Sequence, residues 1–364
     1  MAPRARELGI PFSGVPGPEN AITDVPGVLV GQTTLIEGAS GPHQVRTGVT
    51  AILPRGFDRP LRPVWSGTFS LNGNGEMTGT HWIRDGGYFC GPIVLTNTHA
   101  VGVAHHATVR WMIDYYPDEF HNHHLWALPV VAETYDGVLN DINAQPIQPS
   151  HIIEAINGAK AGPVREGNSG GGTGMIAYGF KGGTGTASRQ VDVKGSPYHL
   201  GVLVQANHGA REWFQVKGLP YGVEGDGQNA GDLGSIIVIV ATDLPMLPHQ
   251  LTRVARRAAL GIGRQGTAGG NSSGDIFLAF TTANPPPLPT DLDPWITLSA
   301  LADPYFDGVY QAVVESIEEA VLNAMVAAEP MSYAKPPGRM IERVDLRRLV
   351  NLATRSGTGN EQGP

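Results

Sequence analysis

The stretch AGDLGSIIVIVATD, residues 230–243, places a serine between a glycine-rich loop and a run of aliphatic residues. The six residues after Ser235 are all apolar and mostly β-branched, which predicts a buried strand. A serine at this boundary is fixed by the strand on one side and can be approached from the other. Because a serine hydroxyl is a poor nucleophile until a base accepts its proton, the stretch raises the question of which base could serve.

One available base is the α-amine of the serine itself, provided that Ser235 is the first residue of a chain. The unperturbed pKa of an α-amine is about 7.7–8.0, close to neutral pH. An internal serine can create this amine by attacking the carbonyl group of the preceding residue, which gives an ester that water then cleaves. Gly234 suits this attack because it lacks a side chain and tolerates a strained backbone. Gly-Ser before a strand is also common, so the alternative is that these two residues only mark the start of the strand.

Three shorter patterns favour structural explanations. GIGRQG, residues 261–266, matches G-x-G-x-x-G, but a predicted helix precedes it, where a dinucleotide site requires a strand. GNSGGG, residues 167–172, is similar to the serine motif of trypsin-like proteases but lacks convincing His and Asp partners upstream, which favours turn-forming glycines. The histidines His121, His123 and His124 have no second ligand cluster at a metal-binding spacing, so we expect a surface loop and no metal site.

The composition predicts a protein with a sizeable core and without nucleic-acid or membrane partners. Hydrophobic residues make up 41% of the chain, and the net charge is −8 without a basic run. Nucleic acid is an unlikely partner because phosphate contacts need clustered cations. The single cysteine, Cys90, excludes an internal disulfide and is compatible with a reducing compartment. No apolar run approaches the roughly 20 residues of a membrane span, and we see no signal peptide, so a cytoplasmic location is expected.

The elements that must position Ser235 are apolar strands and a few amphipathic helices. Strands are predicted in LWALPVVAETYDG, HLGVLVQAN, SIIVIVA and DIFLAFTTAN, and GPIVLTNTHAVGVAHHATVRWMI is predicted to be a strand followed by a helix. Helices are predicted in PSHIIEAINGA, with Ser150 as its N-cap, in PHQLTRVARRAAL, and in YQAVVESIEEAVLNAMVAA. The last has an apolar stripe of Val313, Ile317, Val321 and Ala324. Strands this apolar are expected to be covered on both faces, which predicts a layered α/β sandwich with helices outside and sheets inside.

Several longer blocks resemble one known family. The block NAGDLGSIIVIVATDLPMLPHQLTRVARRAALGIGRQGT closely resembles the DmpA-like family, which comprises the L-aminopeptidase D-amidase/D-esterases and the β-aminopeptidases. VAETYDGVLNDIN, VLVQANHG and NSSGDIFLAFTTAN resemble further blocks of that family, in the same order along the chain. The likeness runs from about DVPGVLVGQTT to the final long helix.

The resemblance implies the fold and the processing of the chain. The family's fold is a four-layer αββα sandwich of the DmpA/ornithine-acetyltransferase type, similar to that of N-terminal nucleophile hydrolases but with different strand connectivity. We therefore expect a single catalytic domain over residues 1–364. Self-cleavage between Gly234 and Ser235 would give an α chain of residues 1–234 and a β chain of residues 235–364.

The resemblance also implies the residues around the nucleophile. Ser235 matches the nucleophile of both self-cleavage and turnover. Ser273 and Asp275, in SSGDIF, match the serine and the acidic residue that support it. Physically, a carboxylate at Asp275 can hold Ser273 and the α-ammonium group of Ser235 in place and tune proton transfer. Without the family resemblance, Ser272 could be the active serine instead of Ser273, and Asp275 could be a turn residue.

Three further residues match positions that bind the substrate or its developing charge. Asn207, in QANHG, matches the side chain of the oxyanion hole, and Tyr135, in ETYDG, matches a tyrosine on the oxyanion side. Glu133 matches the carboxylate that binds the free amino group of the substrate. Without the family, Asn207 could satisfy a strand end and Tyr135 could be a core tyrosine.

The function implied is a self-processing aminopeptidase/amidase without a metal or organic cofactor. It would release small N-terminal residues from peptides, amides or esters through an acyl-enzyme on Ser235, acting on L-residues, D-Ala-type amides or β-amino acids. Asp275, where some β-aminopeptidases have Glu, favours the branch with mixed L-peptidase and D-amidase activity. Family members are oligomers of αβ units, often four, so a homo-oligomer is expected.

Two alternatives stay open. One is an amino-acid acyltransferase that resembles the ornithine acetyltransferases, although these use a threonine as the nucleophile. The other is an inert relative that keeps the fold as a scaffold.

Overall fold

The computed structural model describes residues 3–38, 41–123, 125–221, 234–288 and 293–358. Its first eight strands are β1 (Leu29–Glu37), β2 (Val45–Leu53), β3 (Val64–Ser70), β4 (Tyr88–Phe89), β5 (Ile93–Asn97), β6 (Val130–Thr134), β7 (Ile176–Ala177) and β8 (Phe180–Lys181). The others are β9 (Gly183–Val193), β10 (Ser196–Asn207), β11 (Gln215–Val216), β12 (Leu219–Pro220), β13 (Ser235–Thr242), β14 (Gly274–Thr281), β15 (Met331–Ser332) and β16 (Met340–Ile341).

The α-helices lie mainly between or after the long strands. They are α1 (Thr80–Gly86), α2 (Val101–Tyr115), α3 (Pro117–His121), α4 (Pro149–Asn157), α5 (Pro248–Gly263), α6 (Phe306–Val326) and α7 (Leu346–Thr358). Within the described ranges, none of these helices has the length and apolar character needed to cross a membrane.

The long strands form two sheets that pack face to face. The four-stranded sheet has the order β1-β2-β5-β6, and the six-stranded sheet has the order β4-β3-β14-β13-β10-β9. Leu95 and Ala132 of the first sheet share a buried cluster with Leu203, Ile239 and Leu278 of the second. Helices α2 and α4 pack on the outer face of the first sheet, and α5 and α6 pack on the outer face of the second. The predicted four-layer αββα sandwich is therefore confirmed.

Two local predictions from the sequence need correction. Ser150 is not an N-cap, because α4 begins one residue earlier, at Pro149, and Gln148 occupies the cap position. Proline at the first helical position has its φ already fixed for a helix, and its missing N–H would be unpaired there in any case. The second correction concerns α6, which is buried along most of its circumference instead of along one stripe.

The burial of α6 includes its acidic residues, which are paired with cations from earlier parts of the chain. Glu319 lies 2.8 Å from Arg189 and 2.8 Å from Arg6, and Glu318 lies 2.8 Å from Lys217. Burial of an unpaired carboxylate is costly, so these cations make the position of α6 possible. In each pair, one partner precedes position 234 and the other follows it.

Glycines on the strands allow the outer helices to approach the sheets closely. A Cβ atom on Gly185 of β9 would lie 1.9 Å from the carbonyl oxygen of Ala320 in α6. A Cβ atom on Gly67 of β3 would lie 2.3 Å from the backbone nitrogen of Thr252 in α5. The backbone of each helix thus occupies the space of a missing side chain, which explains part of the high glycine content.

We predict opposite effects for two glycine-to-alanine substitutions. Gly185→Ala should destabilise the protein by about 1–3 kcal/mol, because its methyl group overlaps α6 and the layers must separate. Gly102→Ala is the matched control, since Gly102 lies in α2 with open space around it. That variant should be neutral or more stable by up to about 1 kcal/mol. Urea unfolding followed by fluorescence measures both, and equal stability of the two variants would contradict the close-packing explanation.

Candidate active site

The pairing of three neighbouring strands brings the predicted site residues to one edge of the six-stranded sheet. Strand β13 is antiparallel to β10, with Ser235 opposite Asn207. It is parallel to β14, with Ser235 opposite Gly274. Side chains of directly opposed residues point to the same face and lie about 4.5–5.5 Å apart at Cβ. The first residue of β13 therefore lies between the last residue of β10 and the first residue of β14.

The hydroxyl group of Ser235 lies against the peptide bond that precedes it. Its Oγ donates to the carbonyl oxygen of Gly234 at 2.8 Å, and the N–H of Gly274 donates to the same Oγ at 3.2 Å. A Cβ atom on Gly234 would lie 1.7 Å from the carbonyl oxygen of Asn207, so only glycine fits at this position. Residues 222–233, which precede Gly234, lie outside the described residues.

Asp275 is fully buried and accepts hydrogen bonds from three directions. Its Oδ1 accepts from Ser273 Oγ at 2.6 Å and from the N–H of Ile236 at 3.2 Å. Its Oδ2 accepts from Asn72 Nδ2 at 3.3 Å. Of the two candidate serines, the structure thus brings Ser273 to Asp275, whereas the carbonyl group of Ser272 accepts from the side chain of Asn74. Donors thus hold both oxygens of this carboxylate in place.

The side-chain amide of Asn207 is held at both ends. Its Oδ1 accepts from the N–H of Ile176 at 2.7 Å, and its Nδ2 donates to the carbonyl oxygen of Tyr135 at 3.0 Å. Tyr135 is 42% exposed, so it is not a core tyrosine. Tyr135 contacts Asn207 through its backbone, and its hydroxyl group lies over Gly137.

Glu133 is a nearly buried carboxylate close to the backbone of Gly274. Its Oε1 accepts from the N–H of Glu76 at 2.9 Å, and its Oε2 accepts from the hydroxyl group of Thr98. A Cβ atom on Gly75 would lie 3.2 Å from Glu133 Oε1 and 3.2 Å from the Cα of Gly274, so Gly75 separates the two. Burial raises the pKa of Glu133, and the two hydrogen bonds oppose that rise.

Sequence reasoning missed several residues that complete the site. These are Asn72 and Gly75, which belong to the polar loop LNGNGEM, and Thr98, which follows β5. The sequence showed this loop as a run of Asn and Gly between apolar segments, but it did not show the contact with Asp275, because 203 residues separate Asn72 from Asp275. The N–H of Gly274 could not be found from residue type at all, since every residue except proline has one.

The other reactive side chains that the sequence singled out lie apart from this cluster. His123 contacts Asp118 at 3.3 Å on the surface, and His124 lies outside the described residues. In the described ranges, no group of three or more His, Cys, Asp or Glu side chains is arranged to hold a metal ion. Burial raises the pKa of the Cys90 thiol to about 12, which makes it an unreactive thiol. The glycines of GIGRQG begin in the last turn of α5, so a helix precedes this motif, as predicted.

The sequence pattern of the family described as "Peptidase family S58" matches residues 20–336. Two similar proteins are both called beta-peptidyl aminopeptidase BapA. The one from Sphingosinicella microcystinivorans is 49% identical over 374 residues, which cover 96% of this chain and 92% of that protein. The one from Sphingosinicella xenopeptidilytica is 45% identical over 353 residues, which cover 91% of this chain and 87% of that protein.

Two solved structures have the same fold over nearly the whole chain. One is the L-aminopeptidase D-Ala-esterase/amidase from Ochrobactrum anthropi, described as a prototype for the serine aminopeptidases and a new variant among the Ntn hydrolase fold. It has a TM-score of 0.90 and 52% identity, with 98% of this chain and 99% of that one covered. The other is a β-aminopeptidase from Burkholderia sp., with a TM-score of 0.88, 41% identity and full coverage of both chains.

We predict that Thr98→Val raises the pKa of Glu133 further. Thr98 donates to the charged carboxylate, and the loss of a donor to the charged form favours the neutral form. The measurement is a pH titration by NMR of protein with ¹³C-labelled glutamate side chains, in which Glu133→Gln identifies the signal. Thr108→Val is the control, because Thr108 donates to the carbonyl oxygen of Ala104 in α2. A lower or unchanged pKa in Thr98→Val would contradict this description of the site.

Proposed function

The chain belongs to peptidase family S58, and from that premise we propose that Ser235 is the nucleophile both of its own cleavage and of substrate hydrolysis. The protein is a serine-type aminopeptidase/amidase. The observation that supports the assignment to Ser235 is the position of its hydroxyl group at the start of β13. There the hydroxyl lies between the carbonyl group of Gly234 and the N–H of Gly274.

The first reaction is cleavage of the bond between Gly234 and Ser235. Ser235 Oγ attacks the carbonyl carbon of Gly234, the C–N bond breaks, and the proton of the hydroxyl passes to the released nitrogen. The product is an ester, which water hydrolyses to a carboxylate on Gly234 and a free hydroxyl group on Ser235. The close fit of Gly234 against Asn207 supports this step, because it holds the carbonyl group beside the attacking oxygen.

In the second reaction, the substrate takes the place that Gly234 occupied. The new α-amine of Ser235 accepts the proton of the hydroxyl as Oγ attacks the substrate carbonyl, and it then donates that proton to the leaving amine. Water hydrolyses the resulting acyl-enzyme and releases the N-terminal residue. The buried carboxylate of Asp275, bound to Ser273 and to the N–H of Ile236, provides a fixed negative charge beside the new ammonium group.

Two further residues act on the substrate. The amide of Asn207, opposite Ser235 in the sheet, donates to the oxyanion of the tetrahedral intermediate, with Tyr135 on the same side. Loss of one such donor costs about 10²–10³ in rate in a well-studied protease. The carboxylate of Glu133, on the other side of Gly75, binds the free amino group of the substrate. Its burial makes a charged partner necessary, which explains a requirement for an unblocked N-terminus.

The substrates we propose are peptides, amides and esters with a small N-terminal residue. The relatives support this range, since two are named beta-peptidyl aminopeptidases and one is named an L-aminopeptidase D-Ala-esterase/amidase. The preference among L-, D- and β-residues stays a prediction, as does the assembly of αβ units into an oligomer.

We predict that the purified protein is cut and that Ser235→Ala is not. Two fragments of about 25 and 14 kDa should replace the 38.5 kDa chain, and the smaller should begin with Ser-Ile-Ile-Val, because the nucleophile must gain its own amine. A denaturing gel and intact mass spectrometry measure this directly. Ser272→Ala is the control beside the site and should still be cut, because Ser272 contacts Asn74 through its backbone carbonyl group. A single uncut chain with full hydrolytic activity would refute the self-cleavage mechanism.

We further predict that Glu133→Gln raises KM for a free-amine substrate about 10- to 100-fold, the range expected when a charged hydrogen bond is lost. The hydrolysis of an alanine p-nitroanilide and of its N-acetylated form distinguishes amine recognition from general damage, because only the free amine pairs with Glu133. Since burial raises the pKa of Glu133, the wild-type KM should fall as the pH rises through that pKa and the carboxylate becomes charged. An unchanged KM in the variant would rule out this role.

A further inference from the structure

Lys181 is a fully buried lysine beside the site, and the proposed mechanism does not use it. Its Nζ lies 3.0 Å from the carbonyl oxygen of Met175, 2.9 Å from that of Gly182 and 3.4 Å from that of Gly172. The last belongs to the GNSGGG motif, whose glycines Gly170–Gly172 form a short 3-10 helix. In the described part of the chain, no carboxylate forms an ion pair with Lys181.

The three carbonyl groups match a charged amine. An ammonium group has three N–H donors, whereas a neutral amine has two and would turn its lone pair toward one of the carbonyls. Burial lowers the pKa of Lys181 to about 7, and the three acceptors favour the charged form. Because no carboxylate of the described residues pairs with this buried ammonium group, its charge acts on the backbone dipoles around it.

The dipole that links Lys181 to the site is the peptide group between Met175 and Ile176. Its carbonyl oxygen accepts from Lys181 Nζ, and its N–H donates to Asn207 Oδ1 at 2.7 Å. The amide of Asn207 therefore has its oxygen fixed toward Ile176 and its NH₂ group fixed toward Tyr135, and Asn207 lies opposite Ser235 in the sheet. Hydrogen bonds in such a chain polarise one another, so that a charge at one end strengthens the donor at the other.

We propose that Lys181 is a positioning residue for the hydrolytic reaction, whose ammonium group orients and polarises the Asn207 amide through the peptide group between Met175 and Ile176. This inference rests on the proposed role of Asn207 as the oxyanion donor. It adds that the strength of this donor is set by a cation that never touches the substrate. A lysine that only supports the turn would stabilise the fold without any specific effect on Asn207.

The kinetic test compares Lys181→Met with Lys160→Met, which removes an exposed lysine that precedes the GNSGGG motif. Rates of alanine p-nitroanilide hydrolysis are expressed per cut chain, which intact mass spectrometry counts. We expect kcat to fall about 10-fold in Lys181→Met with KM within about two-fold, because Asn207 acts in the transition state. In the Asn207→Ala background, Lys181→Met should have little further effect on kcat. An equal loss of kcat in both backgrounds, or no loss in either, overturns the inference.

A spectroscopic test does not depend on cleavage or activity. In the uncut Ser235→Ala protein, ¹⁵N-labelled asparagine gives side-chain NH₂ signals, and Asn207→Asp identifies that of Asn207. Lys181→Met, or Lys181→Gln if the first variant does not fold, should shift this signal upfield, whereas Lys160→Met should not. An unmoved Asn207 signal overturns the inference. If Asn207→Ala itself leaves kcat unchanged, the proposed role of Asn207 fails, and the inference fails with it.

Discussion

The structure depends on one constraint, the register in which β13 pairs with its two neighbours. Because β13 and β14 are parallel, their first residues lie side by side at one edge of the sheet. Because β13 and β10 are antiparallel, the last residue of β10 reaches the same edge. A slip of one residue would turn Ser235 to the opposite face and separate it from Asn207. The side chains of β13 are buried on both faces, so a slipped strand would also have to repack against the core on each side.

The sequence predicted those features that depend on local pattern or on a long block of family likeness. The strand after Ser235, the layered sandwich and the contact of Ser273 with Asp275 belong to this group. Glu133 and Asn207 were placed by likeness, but their partners were not. Thr98 and Gly75 acquire a role only when β5, β6 and the loop after β3 are assembled, and no local pattern marks such a contact. The contacts of Lys181 could not be predicted for the same reason, since its acceptors are backbone carbonyl groups.

Tertiary packing also overrode two local signals. The apolar stripe on α6 indicated a helix with one exposed face, but residues from the first part of the chain cover that face as well. Arg6 and Arg189 pair with Glu319 there, and a glutamate in a helix ordinarily indicates solvent. Ser150 has the residue type of an N-cap, but Pro149 starts the helix before it. In both places, other residues determine the structure: Arg6 and Arg189 for the burial of α6, and Pro149 for the start of α4.

The cations that pair with α6 have a consequence for a chain cut before Ser235. Both pairs to Glu319, the pair between Lys217 and Glu318 and the whole ladder between β10 and β13 would join the first fragment to the second. The two fragments would thus share one core, and neither could bury its apolar surface alone. Folding would have to come before cutting, and the lost bond would remove the tether that makes assembly an intramolecular process. Such a protein would be stable once folded, but after complete unfolding its two fragments would have to associate again in order to refold.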